Sequence, residues 1–364
     1  TSGSDLGPVL EGSRTFSVRA KDLAGNVDAT PASYAWTVDI TEPNTTITLA
    51  SKPANPTNVT SATFQFTGTD LVTPAGSLTF ECKLDTGDYE ACTTGKNYPT
   101  LAAGSHTFSV RATDGAGNLE STPDSYTWVV DTTEPDTEIT AGSEPANPTN
   151  VTTASFAFTG TDNVTAVGSL TFQCKLDGGS YASCSSPKNL TSLAEGSHTF
   201  YVKSFDAATN SDSSPAEYTW FVDLTAPTAT IDSNPANPTN ETDAVFTFSG
   251  TDNHSASGAL TFACSLDGGA YAACDSGDHF TVAEGARSFA VKATDEAGNT
   301  SASDTYAWTV DLTTQAPTLT APVIRIPGST PRWPERFFPD APPRRGAAIR
   351  STRPASRGTP RTPS

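Results

Sequence analysis

The six cysteines of this chain fall in three segments of equal length. The segments "CKLDTGDYEAC", "CKLDGGSYASC" and "CSLDGGAYAAC" run from Cys82 to Cys92, from Cys174 to Cys184 and from Cys264 to Cys274. Zinc sites use cysteines two to four positions apart with further ligands nearby, and a redox dithiol has two intervening residues instead of nine. The spacing therefore predicts three local disulfides, which indicate an oxidising, extracytoplasmic compartment.

Aspartates recur in register as well, at positions where three carboxylates could meet. One ends a repeat, one follows the second strand of the next repeat and one follows its sixth strand: Asp39, Asp70 and Asp114; Asp131, Asp162 and Asp206; Asp223, Asp252 and Asp295. In a β-sandwich both loops lie at the pole where the preceding linker arrives. Three carboxylates with loop carbonyls suit a Ca²⁺ site of modest affinity, and no other cofactor is indicated. The alternative is that aspartate simply favours turns and strand ends.

Catalytic patterns are absent from the sequence. It contains no G-x-S-x-G, H-E-x-x-H or Gly-rich phosphate loop, and a catalytic carboxylate pair would not recur once in every repeat. His106 and His198 occupy positions that hold Arg14 and Arg287 in the other copies. A general base or metal ligand would not alternate with arginine, so we expect these histidines at the rim of a strand. The chain is predicted not to be an enzyme.

Tryptophans mark an internal repeat. Trp36, Trp128, Trp220 and Trp308 are spaced 92, 92 and 88 residues apart, each in a string such as "SYTWVVD". The predicted domains are the C-terminal half of a repeat at 1–40, full repeats at 41–132, 133–224 and 225–312, and a tail at 313–364. Because Thr1 falls in the middle of a repeat, the sequence is predicted to be a fragment or a processed product of a longer protein.

The repeats are predicted to be all-β. Within residues 133–224, "SFAFTG", "SLTFQCKL", "HTFYVKS" and "YTWFVD" alternate apolar and polar residues, and Gly, Pro, Asn and Asp separate them. About seven short strands in each repeat favour tandem seven-stranded antiparallel Ig-like β-sandwiches. A three-residue loop centred on Gly179 is expected to set Cys174 opposite Cys184.

Charge is divided unevenly along the chain. The net charge is −19, whereas residues 314–364 carry nine arginines and two acids. The acidic repeats would repel phosphate, so nucleic acid is not an expected partner, and no apolar run is long enough to span a membrane. The Pro- and Arg-rich tail is predicted to be disordered. It is either a basic segment that contacts an anionic surface or the product of a shifted reading frame.

The phrases "GSHTFSVRATDGAGN" and "SYTWVVDTTEPDTEIT" resemble the tandem immunoglobulin-like and fibronectin-type-III-like repeats of large bacterial surface proteins. The pattern D-x-A-G-N after a strand, followed by V-D-x-T-x-P at the junction, carries the resemblance over about residues 1–312. It implies a secreted or cell-surface location and an extended array of repeats. It implies no catalytic residue.

Two functions remain open from the sequence. The first is a structural spacer whose partners are neighbouring repeats of a longer chain, and whose full repeats form a rod of roughly 100–120 Å. The second is an adhesive module that recognises a glycan or a protein through its pole loops or a sheet face. Close agreement between the copies favours the spacer. Tyr89, Tyr181 and Tyr271 recur near the hairpin turn and are the best candidates for exposed aromatic residues.

Overall fold

The computed structural model describes residues 7–314, and the predicted disorder of the tail concerns residues that lie almost entirely outside this range. The first strands, β1 (Gly12–Val18) and β2 (Ala32–Val38), form an antiparallel hairpin. Phe16 and Tyr34 face each other across this hairpin and remain exposed. Within the described residues this hairpin is a two-stranded sheet of its own.

The same set of short strands then occurs three times. Residues 41–132 contain β3 (Asn44–Ile47), β4 (Ala62–Phe64), β5 (Phe66–Thr69), β6 (Thr79–Leu84), β7 (Glu90–Cys92), β8 (Lys96–Tyr98), β9 (Gly104–Thr113) and β10 (Asp124–Val130). Residues 133–224 contain β11 (Asp136–Ile139), β12 (Ala154–Phe156), β13 (Phe158–Thr161), β14 (Thr171–Leu176), β15 (Ala182–Cys184), β16 (Lys188–Leu190), β17 (Gly196–Phe205) and β18 (Ala216–Val222). Residues 225–312 contain β19 (Thr228–Ser233), β20 (Asp243–Val245), β21 (Thr247–Thr251), β22 (Thr261–Leu266), β23 (Ala272–Ala273), β24 (His279–Thr281), β25 (Gly285–Thr294) and β26 (Asp304–Val310).

Helical structure within residues 7–314 is limited to single turns. These 3₁₀ turns are Leu49–Ser51, Ala75–Ser77, Val167–Ser169 and Ser257–Ala259. The all-β class predicted from the alternating sequence is therefore confirmed.

Strand pairing builds the same two layers in each repeat. One layer is a four-stranded antiparallel sheet, in the order β10-β9-β6-β7, β15-β14-β17-β18 or β23-β22-β25-β26. The other layer consists of the pairs β3–β5 and β4–β8 in residues 41–132, and the later repeats have the equivalent pairs. The strand expected at "SFAFTG" in residues 133–224 is divided at Ala157, because its first part pairs with β16 and its second part with β11. Each repeat thus has eight short strands where about seven were expected.

Aromatic side chains from the two layers fill the core between them. Phe64 stacks on Phe108 with ring centroids 4.1 Å apart, and Trp128 packs against Phe64 at 5.2 Å. All three are fully buried. Burial of a large apolar side chain is worth about 1.5–3 kcal/mol, so this cluster accounts for much of the stability of a small sandwich. Equivalent pairs stack at 4.4 Å in residues 133–224 and 3.9 Å in residues 225–312.

The cysteine hairpin differs from the expected register. Cys174 lies opposite Ala182, and Cys184 lies opposite Phe172, so the disulfide joins diagonal neighbours instead of a directly opposed pair. The loop from β14 to β15 has five residues, since Asp177 adopts a φ of 53° and the Gly179 N–H bonds back to the Leu176 carbonyl. Strand twist brings diagonal residues on one face close together, and the two Cα atoms are 5.8 Å apart.

Candidate metal centres at the junctions between repeats

Three loop ends place an aspartate at each junction. In the central junction Asp131 follows β10, Asp162 follows β13 and Asp206 follows β17. Asp131 is held in place because its N–H donates to the Thr57 carbonyl (2.8 Å), which continues the pairing of Thr57 with Val130. The end of this repeat is thereby fixed to its own sandwich.

The structure brings together each of the three predicted aspartate triads. Within a triad, one oxygen from each carboxylate lies within 4.8 Å of the other two: Asp39, Asp70 and Asp114; Asp131, Asp162 and Asp206; Asp223, Asp252 and Asp295. Oxygens that all bind one Ca²⁺ at about 2.4 Å cannot lie more than about 4.8 Å apart. The observed separations therefore fit a shared hard cation.

Backbone hydrogen bonds orient the carboxylates. The Oδ2 atom of Asp162 accepts the N–H groups of Val164 (2.8 Å) and Thr165 (2.6 Å). The Oδ1 atom of Asp131 accepts the N–H of Thr133 at 3.2 Å. Each of these residues uses one oxygen to fix its own loop, so its second oxygen is directed elsewhere.

The second oxygens have no partner. At every junction two buried carboxylate oxygens accept no hydrogen bond within residues 7–314: Oδ1 of Asp39 and Asp70, Oδ2 of Asp131 and Oδ1 of Asp162, and Oδ2 of Asp223 and Oδ1 of Asp252. Asp131 is only 1% exposed, and Asp223 is 0% exposed. A buried, unpaired carboxylate oxygen is costly, and a cation bound at the junction would offset that cost.

An asparagine four residues after the third aspartate, which the sequence analysis did not single out, completes the arrangement. The Asn210 side-chain amide donates to Asp206 Oδ2 (2.6 Å) and to the Asp131 carbonyl (2.9 Å). Asn118 and Asn299 bridge the first and third aspartates of their own junctions in the same way. The fixed Asp-x-x-x-Asn spacing in every copy was the available signal.

Burial and mutual repulsion both disfavour three ionised carboxylates at one junction in the absence of a cation. Burial raises the pKa of Asp131 above its ordinary value, and the neighbouring charges of Asp162 and Asp206 raise it further. Burial likewise raises the pKa of Asp223, with its neighbours Asp252 and Asp295 contributing. A bound cation would remove this repulsion, so the triads are better suited to hold a metal ion than to stand alone.

The two rim histidines, His106 and His198, bond to the aspartate in the loop of the cysteine hairpin and belong to none of the aspartate triads. His198 Nδ1 lies 2.9 Å from Asp177 Oδ2, and its Nε2 lies 2.9 Å from the Ala194 carbonyl. Arg287 makes the corresponding contacts with Asp267 and the Ala283 carbonyl. This equivalence explains how arginine replaces histidine at the strand rim.

Disulfides are present in all three hairpins, between Cys82 and Cys92, Cys174 and Cys184, and Cys264 and Cys274. None of the cysteines is free.

Within the described residues, helices with the length and apolar character needed to cross a bilayer are lacking.

Comparison with known proteins concerns the fold. No family model and no curated protein matches the chain. Fibronectin(III)-like modules of Clostridium thermocellum CbhA match with 17% identity and a TM-score of 0.31, over 49% of this chain and 93% of theirs. A tetra-tandem repeat from the extending region of a large adhesion protein matches with 16% identity and a TM-score of 0.29, over 86% of this chain and 85% of its own.

A structure from a 1.5-MDa bacterial ice-binding adhesin is also 16% identical, with a TM-score of 0.41, over 70% of this chain and 92% of its own. These are the kinds of repeat that the sequence resembles. At these scores they add nothing to the strand pairing, which by itself defines the chain as a tandem array of Ig-like β-sandwiches.

Proposed function

We propose that these repeats are a non-catalytic spacer of a secreted or cell-surface protein, in which a bound Ca²⁺ ion joins each repeat to the next. The observation that carries the proposal is the pair of buried, unpaired carboxylate oxygens at each of three junctions. Asp131 belongs to the end of one repeat, and Asp162 and Asp206 belong to the following one. An ion shared among them resists bending at the junction.

Calcium suits the site better than the common alternatives. All the candidate ligands are oxygens, which zinc and copper sites rarely use exclusively. Magnesium demands near-ideal octahedral geometry and retains most of its water, whereas Ca²⁺ accepts carboxylates and loop carbonyls in irregular arrangements. The Asp131 and Asp206 side chains come from loops that Asn210 ties together, so little ordering is needed when the ion binds.

The repetition of the site supports a structural role. A triad that recurs at three junctions serves a property of the whole array, whereas a catalytic centre is normally unique. The three disulfides support a location outside the reducing cytoplasm. The disulfides also stabilise each small sandwich, whose hydrophobic core is limited in size.

The test compares the full chain in calcium and in chelator. At a calcium concentration of about 100 Kd, each site contributes about 2.7 kcal/mol to stability. We expect EDTA to lower the melting temperature and to broaden the distance distribution measured by small-angle scattering. Asp162→Asn should remove part of the calcium effect.

Asp136→Asn is the matched control, because Asp136 is exposed, carries the same charge and lies on β11 outside the triad. It should retain the whole calcium response. Identical melting and scattering in calcium and in EDTA would contradict the cation-joined spacer.

An adhesive role is the second candidate. It is favoured by one outer sheet face on which tyrosines lie next to unpaired lysines, and this face differs between the copies in a way that a pure spacer does not require.

A further inference from the structure

The outer face of the four-stranded sheet in residues 133–224 carries a cluster of aromatic and basic side chains. Lys175 Nζ lies 4.2 Å from the centre of the Tyr201 ring and 5.1 Å from that of Tyr181. Lys203 Nζ lies 4.9 Å from the Tyr181 ring and 5.0 Å from the Phe205 ring. Two ammonium groups therefore lie among three aromatic rings on one surface.

Strand register explains why these residues meet. Lys175 on β14 lies directly opposite Tyr201 on β17, and Gln173 lies directly opposite Lys203. Alternation along the strands turns their neighbours Cys174 and Val202 into the core. The cluster is defined as Lys175, Tyr181, Tyr201, Lys203 and Phe205. Four of these residues lie on strands, and Tyr181 is the last residue of the loop before β15.

The two lysines have no acidic partner. Among residues 7–314, no carboxylate oxygen lies within 4.0 Å of either ammonium group, although Glu217 is opposite Tyr201 on the next strand. None of the eight lysines within these residues forms an ion pair, so Lys175 and Lys203 are distinguished by lying together among aromatic rings on a chain whose net charge is −19. Their positive charge is available to an anionic partner.

The equivalent surfaces of the other repeats lack this combination. In residues 41–132, Lys83 and Arg111 both lie over Tyr89, but Arg111 is neutralised by Glu81 at 2.8 Å. Ser109 and Thr113 occupy the places of Tyr201 and Phe205, so two of the three rings are missing. Glu81 occupies the place of Gln173. In residues 225–312, only Lys292 and Tyr271 are retained, with 4.6 Å between the ammonium group and the ring centre. The cluster is thus a feature of one repeat.

A groove borders the cluster. It has a volume of about 660 Å³, and its lining includes Gln173, Ser183 and Phe205. Ligand-binding clefts commonly have volumes of about 300–1,000 Å³. An extended ligand lying across the sheet could therefore place one unit over the aromatic rings and the next in the groove.

We infer that this cluster binds a carbohydrate that contains a carboxylated sugar. The apolar face of a pyranose ring packs on a tyrosine ring, and the paired ammonium groups bind the carboxylate. The acidic surroundings disfavour a densely charged polymer and favour short or sparsely charged glycans. The inference specifies a ligand class for the adhesive role. Because the groove also reaches Asp206 of the central aspartate triad, sugar binding is measured with calcium removed.

Binding of trigalacturonate to the full chain tests the inference, with its methyl ester as the uncharged equivalent of the same shape. Titrations monitored by NMR or calorimetry in EDTA exclude any effect of calcium. We expect millimolar or tighter affinity for the acid, at least about tenfold weaker affinity for the ester, and weakening as NaCl is raised.

Gln173→Glu is the decisive variant, because it gives Lys203 the partner that Arg111 already has in Glu81. It should weaken binding at least about tenfold while melting is unchanged. Lys188→Gln, on a strand of the other layer, should bind like the parent chain. Equal binding of acid and ester, unchanged binding by Gln173→Glu, or no binding at 20 mM trigalacturonate would overturn the inference. So would a lysine-dependent self-association in place of sugar binding, because the occupant would then be a second copy of the chain.

Discussion

Removal of a single disulfide is expected to destabilise one repeat by a predictable amount. The change is Cys174→Ala together with Cys184→Ala, in a hairpin whose cysteines are 10 residues apart. In the chain-entropy model, a loop of this length restricts the unfolded chain by about 2.7 kcal/mol. For a domain of this size, each kcal/mol lowers the melting temperature by about 4–8 °C, so the repeat should melt about 11–22 °C lower.

Differential scanning calorimetry of the full chain is the appropriate assay, because only one of several transitions should shift. Reduction of the parent chain provides a control that removes the cross-link without truncating the buried Cys174 side chain. The other two pairs have the same separation of 10 residues, so their removal should have nearly the same effect. An unchanged melting profile, or three very different losses, would refute an entropic role for these loops.

Three further predictions concern single residues. Burial, and after it the neighbouring charges of Asp162 and Asp206, raise the pKa of Asp131. Asp131→Asn removes this buried charge, so it should raise the melting temperature in EDTA and lower it in calcium; shifts of the same sign would contradict the cation site. Burial lowers the pKa of His198, but hydrogen bonds to Asp177 and the Ala194 carbonyl outweigh it and raise that pKa. This stabilisation is fully present below the unfolded pKa of about 6.5 and is lost as the pH rises through the higher folded value. His198→Arg should therefore remove that part of the pH dependence of melting between pH 6 and 9, and an unaltered profile would count against it. A Cβ at Gly250 would lie 2.7 Å from the Thr228 carbonyl oxygen, so Gly250→Ala should cost about 1–3 kcal/mol by denaturant titration, whereas Gly258→Ala, which meets nothing within 4 Å, should cost little.

Periodicity made the fold predictable from the sequence. Alternation in "YTWFVD" places Trp220 and Val222 in the core, and the structure buries both. The recurrence of one pattern in several copies made each assignment more secure than a single strand would be. For the same reason, aspartates that occupy equivalent loops could be grouped before their separations were known.

Other features depend on three-dimensional detail that periodicity does not contain. The diagonal pairing of Cys174 with Cys184 follows from the five-residue loop and the positive φ of Asp177. The division of the second strand at Ala157 follows from a change of pairing partner from β16 to β11, which local sequence does not reveal. The bridging role of Asn210 requires the end of the preceding repeat to lie beside its loop.

Calcium titration of the full chain by calorimetry, compared with Asp162→Asn, tests the junction sites most directly. Three triads should give binding that approaches three Ca²⁺ ions per chain, with Mg²⁺ binding much more weakly. The variant should lose one of these ions, while Asp136→Asn should lose none. Absence of calcium binding, or a stoichiometry that Asp162→Asn leaves unchanged, would contradict a cation-joined array.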